Sequence, residues 1–163
     1  MIPFFRYVQP WISVYIRVAL GTAFLSAVAD RWGGFGPPGA ANVAWGTFDQ
    51  FLSYTAQLNP YLPTGWIPAL GGLVTGIEVV LGLALIIGFQ TRAVAWGSGL
   101  LLLAFALAMS LSLGVKAPLD YSVFTASASA FLLATLTLST CCASSRVGTP
   151  HKAGKRSAMR VAS

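Results

Sequence analysis

Two residues stand out by type and position. Arg17 and Glu78 are the only ionisable side chains that fall well inside apolar stretches long enough to cross a membrane. A charge at mid-bilayer costs about 2.5–3.5 kcal/mol on insertion scales. Two opposite charges on adjacent spans therefore suggest a pair that faces the interior of a helix bundle. Such a pair suits one of two tasks. In the catalytic reading Arg17 holds an anion or a quinone carbonyl and Glu78 carries a proton. In the structural reading the two form an ion pair that fixes helix register. At 1.5 Å per residue Arg17 lies about 9 Å from Trp11, and Glu78 about 15 Å from Gly88 at the same side. The length of an arginine side chain covers most of that offset.

A second polar set flanks the spans. Asp30-Arg31 end the first, and Lys116, Asp120 and Tyr121 surround the start of the last. In a four-helix bundle these meet at one mouth, which makes Asp30, Arg31, Asp120 and Tyr121 candidate ligand-binding residues. The competing reading is ordinary interfacial charge. Catalytic motifs are missing from the sequence: it has no C-x-x-C, no H-E-x-x-H, no P-loop, and no G-x-G-x-x-G ahead of a helix. His151 is the single histidine and sits in a basic C-terminal segment, so no His-ligated haem or zinc centre is expected, and no metal. Cys141-Cys142 end the last span; they read as two small thiols, or as a site of acylation or thiol redox chemistry.

The elements that must position these residues follow from composition. Of 163 residues, 56% are hydrophobic and 9% are charged. An ordinary soluble domain carries about 25% charged residues, so the chain reads as an integral membrane protein. The net charge of +6 is unevenly placed. Arg146, Lys152, Lys155, Arg156 and Arg160 crowd the last 18 residues without an acid among them. Nucleic-acid binding needs basic groups spread over a folded face, a pattern absent here.

Four stretches reach the roughly 20 residues that a spanning helix needs: about 11–29, 66–88, 93–114 and 119–140. The expected fold is all-α, a four-transmembrane-helix bundle over residues 1–145, followed by a basic, disordered tail at 146–163. The Lys/Arg bias sets the orientation. Arg6, Arg92 and the tail lie on one side, Arg31 and Lys116 on the other, which places both termini in the cytoplasm of a bacterial-type plasma membrane. Ala27-Val28-Ala29 has the look of a signal-peptidase site, but Arg17 interrupts the apolar stretch ahead of it, and the span is kept.

The first external connection is long. Gly33 to Gly39 cannot hold a helix. From 41 to 59, Ala44, Phe48, Phe51, Leu52 and Thr55 recur at helical spacing. This predicts an amphipathic helix at the outer interface, with Trp45, Tyr54, Tyr61 and Trp66 at headgroup depth. A lid packed over the bundle is the compatible second reading. Close packing in lipid relies on small residues: Ala19, Ala23 and Ala27; Gly72 and Gly76; Ser122, Ala126, Ala130 and Ala134. The Gly72-x-x-x-Gly76 motif suits either the bundle or a homodimer. Span three reads as the most lipid-exposed.

In order and spacing, several short pieces resemble the DoxX family of small four-helix membrane proteins. They are Arg17-Val18-Ala19-Leu20-Gly21, Asp30-Arg31, Asn59-Pro60-Tyr61-Leu62-Pro63, Glu78-Val79-Val80-Leu81-Gly82, Gly88-Phe89-Gln90-Thr91-Arg92 and Ala117-Pro118-Leu119-Asp120-Tyr121-Ser122. The resemblance implies a redox-associated membrane subunit that binds a quinone or a small sulfur anion near Arg17 and Glu78. It also implies a redox partner protein and a quinone-linked oxidoreductase role that is not autonomous, since no intrinsic cofactor is expected. A non-enzymatic scaffold that docks a partner protein, and a small transporter, are the other readings.

Overall fold

In the computed structural model the described backbone covers residues 2–145 and the described side chains 9–137. Six helices follow one another: α1 (Ile2–Arg31), α2 (Phe48–Leu58), α3 (Ile67–Ile87), α4 (Thr91–Leu113), α5 (Lys116–Asp120) and α6 (Val123–Ser145). A single 3₁₀ turn, Thr64–Trp66, leads into α3. No strand occurs among the described residues. Three segments, Gln9–Arg31, Thr64–Ile87 and Thr91–Leu113, are long and apolar enough to span a membrane, and Val123–Thr137 of α6 is a shorter apolar stretch. The 146–163 tail and the side chains of Cys141 and Cys142 lie outside the described residues.

Local chemistry sets the helix ends. Gly88 takes a left-handed φ of +85° at the end of α3, and the amides of Gly88 and Phe89 both donate to Ala84 O. Those two hydrogen bonds satisfy a carbonyl at the helix end. Thr47 caps α2, its hydroxyl accepting from Gln50 N at 3.4 Å. The sequence pattern places the start of α2 near residue 41, yet it begins at Phe48. Gly39, Asn42 and Gly46 all take positive φ there and break the chain into turns.

Around the bundle α1 packs on α3 and α6, and α4 packs on α6 and α3. Leu20, Phe24, Leu85, Ala95, Ala130, Leu133 and Ala134 form the core. Close backbone approach occurs at unexpected glycines. A Cβ on Gly21 would lie 2.9 Å from Gly82 O, and one on Gly99 would lie 2.7 Å from the Phe131 ring. Gly72 and Gly76 face open space, so their motif does not join helices within this chain. Nor is the third span, α4, the loosest: Ala95, Ser98, Gly99, Ala106 and Met109 are buried, and Ser127 donates to Gly99 O at 2.8 Å.

Helices α1 and α3 are staggered. Gly21 meets Gly82, whereas Arg31, the last residue of α1, meets Thr75 and Glu78. With Gly21 level with Gly82, Arg31 is level with about Gly72 and reaches Glu78 by the length of its side chain, so roughly 8 Å of α3, from Ile67 to Gly72, runs on past the end of α1. Helix α2 fills that gap. It packs on α3 and α4, buries Phe51 and Thr55, sets Leu52 into the space left by Gly71, and is held at its far end by Ser112 Oγ donating to Leu58 O at 2.7 Å.

Candidate functional site

The stagger decides which charges meet. Arg31 pairs with Glu78 through Nη1 and Oε2, and the same Nη1 donates to Thr75 Oγ1 at 2.7 Å. The Thr75 hydroxyl donates in turn to Gly71 O at 2.8 Å, which orients its lone pairs toward Arg31. Arg31 and Glu78 are each 2% exposed. The guanidinium lies 3.7 Å from the Phe51 ring centroid and 5.3 Å from that of Trp45. These contacts combine cation–π attraction with exclusion of water. Trp45 in turn packs edge-on against Phe51 and near Tyr54. An aromatic lid carried by α2 and the loop before it thus closes over the ion pair.

Asp30, beside Arg31 in the chain, is tied to the loop that carries the lid. It is 5% exposed, and its Oδ2 accepts from Ala44 N at 3.1 Å and Trp45 N at 2.8 Å. Its other oxygen, Oδ1, has no hydrogen-bond partner, and neither does Arg31 Nε. Buried polar atoms normally find partners, so orphans of both kinds in one cluster call for explanation. Tyr54, outside the spans, holds its proton to higher pH than an ordinary tyrosine, first because it is partly buried and second because Tyr121 stands nearby.

Arg17 does not reach this centre. Its Nε donates to Leu85 O at 2.9 Å and its Nη2 to Ile86 O at 3.2 Å. It therefore satisfies the open carbonyls at the C-terminal end of α3 and complements the negative end of the helix dipole. The expected Arg17–Glu78 pair is replaced by Arg31–Glu78. With Gly21 level with Gly82, Arg17 is level with about Ile86, roughly 12 Å along α3 from Glu78, and its Cβ leans further away. Asp30 and Arg31 are buried, whereas Lys116 and Asp120 pair with each other across one helical turn in the open, and Tyr121 is 73% exposed. Sequence reasoning missed Thr75, Trp45 and Phe51 as parts of the centre. The available signal was the placement of Asp30-Arg31 at the foot of a long aromatic connection. No cluster of metal ligands occurs among the described residues.

With this geometry in place, comparison with known families is informative. The model of a membrane family described as methylamine utilisation protein MauE matches residues 9–120. That is most of the chain, and the chain belongs to this family. No curated protein and no solved structure matches it. The match overturns the resemblance to the DoxX family. Short runs of Gly, Ala, Leu and Val around isolated charges are what any small bundle of membrane helices needs, so such pieces do not separate one family from another.

Proposed function

We propose that this member of the MauE family is an integral-membrane subunit of a methylamine utilisation system, and that its buried Arg31 centre receives a quinone headgroup. One observation carries the reading: Arg31 Nε is a buried cationic donor without an acceptor. A quinone carbonyl is a neutral acceptor that would supply one. The rings of Trp45 and Phe51, already stacked around the guanidinium, suit a flat ring that slides in beneath the lid. An anion fits less well, because Glu78 already neutralises Arg31. The electrons pass to or from a partner protein. Both termini face the cytoplasm of the plasma membrane, which puts the lid at the outer side.

A photoreactive short-chain quinone tests this on the full chain in lipid nanodiscs. Labelling should map to α1, α3 or the 32–58 segment, and should fall in Arg31→Lys, which keeps the charge but loses the Nε geometry. Labelling spread evenly over the chain, or unchanged in Arg31→Lys, refutes the quinone site. In cells, the same variant should slow growth on methylamine as sole nitrogen source.

A further inference from the structure

The end of the bundle opposite the lid carries positive charge that the chain does not answer. Asp and Glu number four in the whole sequence, and all of them lie toward the α2 end. Asp30 and Glu78 are near the lid, Asp49 is in the first turn of α2, and Asp120 pairs with Lys116 beyond the far end of α4. Arg17 and Arg92 stand at the other end. Arg17 is bonded to the carbonyls of Leu85 and Ile86, which are neutral, and Arg92 makes no ion pair or side-chain hydrogen bond among the described residues. Glu78, the nearest acid along α3, lies ten residues and about 15 Å from Gly88, where that helix ends. The segment after residue 145 adds five basic residues and no acidic side chain.

A cavity of about 640 Å³ opens beside Arg92, lined by Gln90, Thr91, Arg92 and Ala93 at the start of α4, by Trp96 one turn on, and by Thr137 of α6. Every polar group in that lining is neutral or cationic, so the cavity suits an anion. Arg92 brings a planar fork of donors that matches two phosphate oxygens. Gln90 is exposed and adds a side-chain amide. The amides of the first turn of α4 precede its first helical bond, Val94 N to Gln90 O, and stay available. The cavity also lies at the first turn of Thr91–Leu113, a segment long enough to span the membrane, which sets it at headgroup depth. Trp96 is held there by the Phe131 ring, 5.1 Å away between centroids. From Trp96 an exposed apolar stripe runs along α4 through Leu100, Ala104, Leu107 and Leu111 at helical spacing. Free phosphate would fill the cavity and leave the stripe unused; a phospholipid uses both. A zwitterionic headgroup suits the place less, since no acid is near to take its cation. We infer that the Arg92 cavity binds the phosphate of an anionic phospholipid headgroup, with an acyl chain laid along α4. The site is separate from the Arg31 centre and does not depend on the quinone reading.

The test is native mass spectrometry of the full chain released from micelles that hold equal amounts of phosphatidylglycerol and phosphatidylcholine with matched acyl chains. Phosphatidylglycerol should stay bound in preference. Arg92→Gln should weaken its binding about tenfold or more, the loss of one charge-assisted hydrogen bond, with helix content unchanged by circular dichroism. The tail variant Lys155→Gln with Arg156→Gln should leave the preference intact, and excess inorganic phosphate should not displace the lipid. If Arg92→Gln does not fold, the native chain decides: the emission lost in Trp96→Phe should be the part quenched by phosphatidylglycerol brominated near the headgroup, and more weakly by the matching phosphatidylcholine. No preference for phosphatidylglycerol, a preference that persists in Arg92→Gln or falls with the tail variant, or equal quenching by the two lipids overturns the inference. Displacement by inorganic phosphate overturns the assignment to a lipid.

Discussion

Neutralising Glu78 should harm the protein far less than neutralising Arg31, although the two are partners. The reason is what each substitution leaves beside its buried partner. Glu78→Gln keeps the side-chain shape and keeps an acceptor for Arg31. What it loses is the charged part of one hydrogen bond. A charge-assisted bond contributes about 1.5–3 kcal/mol and a neutral one about 0.5–1.5, so the cost is about 1–1.5 kcal/mol. Arg31→Met leaves Glu78 a buried carboxylate with no cation beside it. Removing one partner of a buried pair costs about 3–5 kcal/mol, and the lost contact with Phe51, 3.7 Å from the guanidinium, adds about 1 kcal/mol. The assay is reversible unfolding in mixed micelles, followed by circular dichroism for both single variants and the double variant. Contact between the residues predicts a coupling of about 1–3 kcal/mol. A parallel cycle on Arg17→Leu with Glu78→Gln should be additive within about 0.5 kcal/mol, since Arg17 bonds Leu85 O and Ile86 O instead. Equal costs for Arg31→Met and Glu78→Gln, or coupling of Glu78 to Arg17 and not to Arg31, would refute the reasoning.

Three further outcomes are open to measurement. Gly88→Ala should destabilise by about 2 kcal/mol or more in the same unfolding assay, because the site has a φ of +85° and the new Cβ would lie 2.1 Å from Arg17 Nη2; Arg17→Ala should recover part of the loss by clearing that clash. Gly71→Leu should lift α2 off α3, since even a Cβ there would lie 2.5 Å from Leu52, and proteolysis within 32–58 should quicken. Tyr54 binds its proton more tightly when folded than when unfolded, so its contribution to stability is intact below the ordinary tyrosine value of about 10 and is lost as pH rises through the higher folded value. The alkaline fall in melting temperature should therefore be shallower in Tyr54→Phe.

Much of the fold is legible in the sequence for simple physical reasons. Hydropathy finds Thr64–Ile87 and Thr91–Leu113 almost to the residue, because helices are the one open-ended structure that satisfies its own backbone in lipid. Charges inside apolar runs are costly enough to mark themselves, and both marked residues do turn out to have buried or bonded roles. What they bond to is less legible. Arg17 and Arg31 are chemically the same side chain on one helix, and Glu78 is a plausible partner for either. The choice depends on the axial offset between α1 and α3, which is set by Gly21 meeting Gly82 and by Gly88 making room for the Arg17 guanidinium. Periodicity reports which face of a helix is apolar and carries no information on how far it slides along its neighbour.

The stagger also accounts for the long connection after α1. Had the two helices ended level, Asp30 and Arg31 would stand at an interface, and charge there needs no partner. Because α3 runs on past the end of α1 and α2 covers the step, both residues are enclosed, and every polar atom they carry must be met by protein or by ligand. The chain meets most of them: Glu78 and Thr75 from α3, the amides of Ala44 and Trp45 from the turns that Gly39, Asn42 and Gly46 impose, and the rings of Trp45 and Phe51 above. Two atoms remain, one donor and one acceptor. A purely structural ion pair has no use for either, since a shorter loop and a well-packed apolar pair in place of Arg31 and Glu78 would join α1 to α3 as well or better. These unmet atoms beneath the α2 lid are the physical ground on which the proposed site rests, and the Gly71→Leu variant tests whether the lid is what encloses them.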